Sequence, residues 1–161
     1  MNEFFADDAT FTGAPLTDEM VRAAEESLGY RLPRGYVDLL RRRNGGIPLR
    51  DCHPTPFPTS WAPEHIQINA LMGIGEYDWG IDAELGSAYL IEEWGYPAVG
   101  VVICLTPSGG HDTVMLDYTA SGPEGEPAVV HVDEDRVPRR IADTFPDFVD
   151  GLVPCETYQG D

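Results

Sequence analysis

The sequence predicts an α+β domain in which a mainly antiparallel sheet is flanked by N-terminal helices and a C-terminal helix. Three observations predict this class. Two short amphipathic helices come first, between residues 17 and 43. Extended apolar runs follow between residues 99 and 132, separated by turn sequences, and a capped helix ends near residue 152. With 161 residues and 42% hydrophobic content, the chain has the size of one domain with a core.

The first helix is predicted to begin after Thr17, which is suited to cap it, and to end at Gly29. The second begins at Pro33 and ends at the turn Asn44-Gly45-Gly46, where Asn44 and Gly45 are expected to take the left-handed conformation. Arg41 to Arg43 lie in its last turn, where cations oppose the helix dipole. Helix termination therefore explains this arginine cluster without a phosphate site.

The middle of the chain begins with a proline-rich stretch, residues 47–63, which we expect to be irregular. Alternating apolar residues predict one strand from Ile66 to Met72, and residues 83–94 predict a helix. A hairpin is predicted from the apolar run 99–105 and the strand 113–118, and a further strand at 128–132. Thr144 is expected to cap the last helix.

Charge is distributed unevenly along the chain, whose formal net charge is -18. Residues 51–135 carry 15 acidic residues and no lysine or arginine. The resulting negative field repels nucleic acid and anionic lipid and attracts basic partners, although an acidic surface also serves solubility alone. We therefore expect no nucleic-acid or membrane partner.

The absence of a membrane-span run and of a signal-peptide layout predicts a soluble cytoplasmic protein, unless it is exported by a route that leaves no such mark. Cys52, Cys104 and Cys155 are odd in number and widely spaced, which favours buried reduced thiols over a disulfide framework or a zinc site. No run of residues is long and apolar enough for a membrane span. The sequence gives no indication of the oligomeric state.

An enzyme would need a nucleophile, a base and an orienting group, and Cys104, Ser108, His111 and Asp112 are the candidates. No known motif joins them, and a hairpin turn explains the glycines beside Ser108 better than a nucleophile elbow does. The histidines are scattered, so zinc is not predicted, and the closely spaced carboxylates do not follow the calcium-loop pattern. We therefore predict no catalytic residue, metal or cofactor. These carboxylates are Glu76, Asp78, Asp82 and Glu84.

A protein-binding surface is predicted in the acidic middle, where aromatic residues alternate with carboxylates. Tyr77 and Trp79 lie in a glycine-bounded loop that we expect to face solvent. The predicted partner-binding residues are Glu76, Tyr77, Asp78, Trp79, Asp82, Glu92 and Glu93.

Four segments occur in a recognisable order: LPRGYVDLLRRRNGG at 32–46, VVICLTPSGGHDTVMLDY at 101–118, VVHVDED at 129–135 and IADTFPDFVDGL at 141–152. With this order the chain resembles the SUKH superfamily, which includes the fungal cell-wall-assembly regulator and bacterial toxin-immunity proteins. It departs from the pattern at His111, which is inserted between Gly110 and Asp112, and in its long acidic middle. The resemblance implies a single domain over 16–152, preceded by an extension at 1–15 and followed by a tail at 153–161.

The resemblance also implies binding rather than turnover. Together with the charge, it predicts an immunity protein that neutralises a basic, nuclease-type toxin by direct contact. One alternative is a general interaction or scaffold module in cell-wall or regulatory pathways. A second alternative is a small hydrolase that uses His111 and Asp112.

Overall fold

The computed structural model of the protein describes residues 4–158. Helices within this part are α1 (Asp18–Leu28), α2 (Arg34–Arg42), α3 (Ser87–Trp94), α4 (Phe145–Gly151) and a final 3-10 turn, Cys155–Tyr158. The strands are β1 (Cys52–Pro54), β2 (His65–Gln67), β3 (Ala70–Leu71), β4 (Gly100–Leu105), β5 (Thr113–Asp117), β6 (Ala128–Val132) and β7 (Pro138–Ala142).

The main sheet has five antiparallel strands in the order β3-β4-β5-β6-β7, and β1 and β2 form a separate small sheet. Its central strands are almost completely buried, which is why β4, β5 and β6 have apolar sequences. Helix α3 packs on β4, while α4 packs on β6, β7 and α2. The predicted α+β class is confirmed.

The strand predicted from Ile66 to Met72 is divided between the two sheets. The backbone amide of Ile68 donates to Asp51, beside β1, whereas the amide of Asn69 donates to Leu105 on β4. The chain therefore changes sheets between Ile68 and Asn69. Alternation of apolar residues reports burial of one face, but it does not report which strand lies alongside.

Strands β1 and β7 were not predicted. Strand β1 lies in the proline-rich stretch that was expected to be irregular, and β7 reads Pro-Arg-Arg-Ile-Ala. Proline and charged residues are typical of sheet edges, and β7 is an edge strand of the main sheet. Helix α3 also begins later than predicted, because Gly86 is its N-terminal cap.

Helix caps agree with the sequence at α1 and α4. The Thr17 side chain accepts a hydrogen bond from the Met20 amide, and the Thr144 side chain accepts one from Asp147. Gly29 ends α1 in the left-handed conformation. These caps could be predicted from the sequence because capping depends on residues close in sequence.

The arginines at the end of α2 have partners in other segments rather than in their own helix. Arg41 pairs with Asp18 of α1 at 2.6 Å, and the Arg43 guanidinium donates to the backbone carbonyls of Ala6 and Asp8. Arg43 is extended at the helix end. Gly45 takes a positive φ of 90°, as expected, but Asn44 does not take the left-handed conformation that was expected of it. The arginines therefore attach α2 to α1 and to the N-terminal segment.

Asn44 connects three parts of the chain through its side chain, which is 2% exposed. Its amide nitrogen donates to the carbonyls of Ala14 and Ile74 at 2.8 and 2.7 Å, and its amide oxygen accepts from the Ile74 amide at 2.8 Å. Gly46 pairs directly with Leu71 of β3. A side chain at Gly45 would collide with Tyr77 and Gly73, so the turn packs closely against the segment that follows β3.

The turn between β4 and β5 is held by the buried carboxylate of Asp112. One carboxylate oxygen accepts hydrogen bonds from the hydroxyls of Thr106 and Ser108, and the other lies 2.8 Å from Nε2 of His131 on β6. Burial by itself raises the pKa of Asp112, but these hydrogen bonds lower it below its usual range. The network joins the hairpin to the neighbouring strand.

The expectation of three reduced cysteines is wrong for two of them. Cys52 of β1 and Cys155 form a disulfide across 103 residues, and Cys104 is a free buried thiol. Val153 pairs with Cys52, so the C-terminal segment lies along β1. Disulfides are typical of oxidising compartments, so the pairing disfavours the cytoplasmic prediction, which stays a prediction. Spacing could not reveal the pair, because the fold brings distant residues together.

Replacing Asn44 with alanine should lower the free energy of unfolding by about 3 kcal/mol, because the buried backbone groups of Ile74 and Ala14 lose their partners. Urea denaturation measures the change. Asn69→Ala is the control, since Asn69 is exposed, and it should change stability by less than about 0.5 kcal/mol. Equal effects of the two substitutions would contradict this account of Asn44.

Asp112→Asn should cost about 2 kcal/mol at pH 7, because a charge-assisted bond to His131 is lost. The pKa of Asp112 is depressed in the folded state, so its contribution is present above the ordinary value of 3.8 and is lost as pH falls through the folded pKa. The stability difference between the two proteins should therefore narrow below pH 4. Urea denaturation across this range is the measurement, and a constant difference would argue against the mechanism.

Removing the disulfide with Cys52→Ser and Cys155→Ser should lower stability by about 3 kcal/mol, because the cross-link restricts the unfolded chain. Reductant should destabilise the natural protein to a similar extent and leave the double variant unchanged. Alkylation of the denatured, unreduced protein should modify Cys104 alone. Modification of all three cysteines in protein purified without reductant would show that the bond does not form.

Candidate functional site

An aromatic cleft of about 350 Å³ opens beside α3 and the β4–β5 turn. Aromatic side chains from three separate segments line it: Phe11 from the N-terminal segment, Trp79 from the loop before α3, and Trp94 and Tyr96 at the end of α3. Val102, Cys104 and Leu105 of β4 and Thr113 of β5 also contribute to the lining. We call this feature the aromatic cleft.

Trp79 is positioned by a closed loop. The Gly73 amide donates to the Trp79 carbonyl at 3.3 Å, and the Ile81 amide donates back to the Gly73 carbonyl at 2.8 Å. These two bonds close the loop on both sides of Trp79. Its indole packs edge-on against Phe11, with ring centroids 5.2 Å apart. The loop and the N-terminal segment therefore form one wall of the cleft together.

The opposite wall depends on Trp94. Leu90 and Trp94 are four residues apart on α3, so they lie on the same side of the helix, and both line the cleft. Gly110 in the β4–β5 turn has φ of 120°, and a side chain there would overlap the Trp94 ring. The hydroxyl of Tyr96 donates to the Gly110 carbonyl at 2.6 Å. The turn is thus fixed against the end of α3.

Tyr77 was expected to face solvent, but its side chain is partly buried. Its hydroxyl accepts from the Gly73 amide and lies 2.9 Å from the Phe11 carbonyl and 3.1 Å from the Asn44 carbonyl. Burial raises the pKa of Tyr77 to about 12. The residue holds the N-terminal segment, the α2 turn and the Trp79 loop together, and its side chain is only partly exposed.

Asp82 also has a structural contact. Its carboxylate accepts a hydrogen bond from the Gly75 amide at 2.8 Å, within the Trp79 loop. The side chain is half-buried. Asp82 supports the loop that carries Trp79. Because one of its carboxylate oxygens is already bonded, we expect it to act on a partner through its charge.

The other predicted partner-binding residues comprise one that lines the aromatic cleft and four exposed carboxylates. Trp79 lines it, and Asp78 and Glu93 each immediately precede one of its tryptophans. Glu76, Asp78, Glu92 and Glu93 are all exposed. Within residues 4–158, none of these four carboxylates forms an ion pair with an arginine. Their charge is therefore uncompensated by local partners.

Sequence reasoning missed the contribution of Phe11, Leu90 and the β4–β5 turn to this site. The spacing of Leu90 and Trp94 was a usable signal, since residues four apart share a helix side. Phe11 gave no signal, because it lies in a segment without regular structure. Trp61, another aromatic residue of the acidic middle, is exposed at 44% and is not part of the lining.

The residues considered for catalysis are not arranged as a nucleophile and a base. Asp112 contacts His131 and Ser108, while His111 is exposed and packs edge-on against Trp94. Ser108 bonds to Asp112 rather than to a histidine, unlike a serine activated by a base. Burial raises the pKa of the Cys104 thiol well above its usual range, which disfavours the reactive thiolate.

No group of three or more His, Cys, Asp or Glu residues is placed to hold a metal ion in the part of the chain that the structure describes. A calcium site would require Glu76, Asp78, Asp82 and Glu84 to converge on one ion, and they form no such group among the described residues. Among residues 4–158, no helix is both long enough and apolar enough to cross a membrane.

Comparison with known proteins identifies the family. The sequence profile of the SMI1 / KNR4 family (SUKH-1) matches residues 15–151. Neither the curated proteins nor the solved structures compared with the chain include a significant match. The profile covers the helices α1 and α2, both sheets, the aromatic cleft from Asn69 onward and α4. The family match agrees with the motif order and with the observed fold, and the chain belongs to the SMI1 / KNR4 family (SUKH-1).

Proposed function

We propose that this chain is a non-catalytic immunity protein that neutralises a basic, nuclease-type toxin by direct contact. The observation that carries the proposal is the aromatic cleft, whose two tryptophans each follow in sequence an exposed carboxylate, Asp78 or Glu93, without an arginine partner among residues 4–158. Membership of the SMI1 / KNR4 family (SUKH-1) supports a binding role, since the SUKH superfamily that the chain resembles includes toxin-immunity proteins. The proposed contact surface consists of Glu76, Asp78, Trp79, Glu92 and Glu93.

Electrostatics support a basic partner. A nuclease must carry positive charge where it holds phosphates, and an acidic inhibitor competes for the same groups. Opposite charges on the two surfaces also steer association and raise its rate at low salt. The acidic middle of the chain supplies such a field, since residues 51–135 contain 15 acidic residues and no lysine or arginine.

The aromatic cleft supports a specific interface rather than a purely repulsive acidic coat. Tryptophan and tyrosine in partly desolvated pockets contribute most of the binding energy in many interfaces, with charges around the rim. Trp79 and Trp94 have this placement. A surface selected for solubility alone has no need of an open cleft lined by four aromatic side chains.

A general scaffold module remains the alternative, and the two roles differ in the consequence of binding. An immunity protein abolishes the activity of its partner, whereas a scaffold leaves the partner active. Co-expression separates them: a captured basic protein that inhibits growth alone and is harmless together with this chain supports immunity. A captured partner that stays active in the complex would instead favour the scaffold role.

The first experiment is capture of partners from lysate of the source cell at low and high salt, followed by binding kinetics with the identified partner. The variant Glu76→Gln, Asp78→Asn, Glu92→Gln, Glu93→Gln should reduce the association rate about tenfold at low salt, because the steering field is weakened. The difference from the natural protein should shrink as salt rises.

The matched control removes the same number of charges away from the cleft: Glu124→Gln, Glu126→Gln, Asp150→Asn and Glu156→Gln. All four residues are exposed and none lines the aromatic cleft. This control should change the association rate by less than about threefold. Equal losses in both variants would mean that net charge alone acts, and an unaffected rate in both would refute the proposed surface.

A further inference from the structure

We propose that the aromatic cleft binds an arginine side chain of the basic partner. The inference rests on the proposed function for the identity of the partner as a basic protein. It goes further by naming the side chain that the cleft accepts and the residues that contact it, Trp79 and Trp94.

The lining has the chemistry of a guanidinium site. A guanidinium group is planar, is weakly hydrated compared with an ammonium group and stacks on aromatic rings, while its three-carbon stem is apolar. Trp79 and Trp94 supply the strongest cation-binding rings among the aromatic residues. Leu90, Val102 and Leu105 supply apolar surface for the stem.

The charge of the surroundings selects a cation. No lysine, arginine or histidine contributes to the lining, and its one ionisable carboxylate is Asp112. The Asp112 oxygens already accept bonds from Thr106, Ser108 and His131, so this residue contributes negative potential rather than a free ligand. Exposed Asp78 and Glu93, each adjacent in sequence to a cleft tryptophan, provide carboxylates for the guanidinium donors.

One contact of the same kind already exists in the fold. The Arg136 guanidinium carbon lies 5.0 Å from the centroid of the Tyr96 ring, and its Nη1 donates to the His111 carbonyl. This internal arginine occupies Tyr96 from outside the lining. The ring of Tyr96 is thereby partly used. Trp79 and Trp94 are partly exposed, and their ring contacts with Phe11 and His111 are edge-on, so the proposal assigns the incoming group to these two rings.

Charge and shape together distinguish arginine from other occupants. A phosphate or carboxylate would be repelled by Asp112, Asp78 and Glu93. An aliphatic side chain would fill the apolar part of the cleft but would leave Asp78 and Glu93, the proposed rim carboxylates, without a partner. Lysine lacks the planar group that stacks between aromatic walls, and its ammonium is more strongly hydrated. Arginine satisfies both the aromatic lining and the acidic rim.

The test uses the natural protein and three capped tripeptides: acetyl-Gly-Arg-Gly-amide, its citrulline analogue, and its leucine analogue. Citrulline keeps the planar shape of arginine without its charge. The chain has three tryptophans, so the indole N–H signals in an NMR spectrum, assigned with single Trp→Phe variants, report directly on the cleft. The arginine peptide should shift the signals of Trp79 and Trp94, and not that of Trp61.

The arginine peptide should bind about tenfold more tightly than the citrulline peptide, because cation–aromatic attraction and the rim charges act only on arginine. An equal response to the citrulline or leucine peptide would overturn the proposal in favour of an apolar side chain. Absence of shifts at about 20 mM peptide, or shifts of Trp61 alone, would also overturn it, since even a contact of a few kcal/mol is visible there.

Matched variants test the cleft itself. Trp79→Leu should abolish the response of Trp94 to the arginine peptide, whereas Trp61→Leu should leave it unchanged, because Trp61 is outside the lining. Circular dichroism and thermal melting verify that each variant is folded. The comparison among peptides requires no substitution, so it stands even where a variant does not fold. Failure of the peptide test leaves the acidic contact surface untouched, and failure of the four-charge variant leaves the arginine site untouched.

Discussion

The side chain of Asn44 is the interaction on which the rest of the structure depends. It binds the backbone of Ile74 through both its donor and its acceptor, and its second donor hydrogen holds Ala14. Such a buried amide is stable only when all of these partners are present, because each unsatisfied polar group is costly. One residue therefore fixes the end of α2, the N-terminal segment and the start of the Trp79 loop relative to one another.

The aromatic cleft is a consequence of that arrangement. Tyr77 repeats the same three-way connection through its hydroxyl, and the loop closed by Gly73 and Ile81 then places Trp79 in the same lining as Trp94. On the other wall, the Asp112 network holds the β4–β5 turn, and Gly110 allows that turn to lie against Trp94. Both walls are thus supported by buried polar groups, which restricts the cleft to one shape.

The arginines and the exposed carboxylates of this molecule have different roles. Arg41, Arg43 and Arg136 act within the fold, joining α2 to its neighbours and the β6–β7 turn to the hairpin. The exposed carboxylates of Glu76, Asp78, Glu92 and Glu93 have no such arginine partners among the described residues, so their field extends into solvent. The few arginines are thus used inside the fold, and most carboxylates of a chain with a formal net charge of -18 are left facing solvent.

The sequence by itself determined the α+β class, the caps at Thr17, Gly29 and Thr144 and the β4–β5 hairpin, because these depend on neighbouring residues and on composition. The family motifs were likewise readable, and the family match agrees with them. Only the tertiary structure decided the inward orientation of Tyr77, the change of sheets after Ile68, the Cys52–Cys155 disulfide and the place of Phe11 in the cleft. Each of these depends on contacts between residues far apart in the chain, which periodicity and local propensity do not encode.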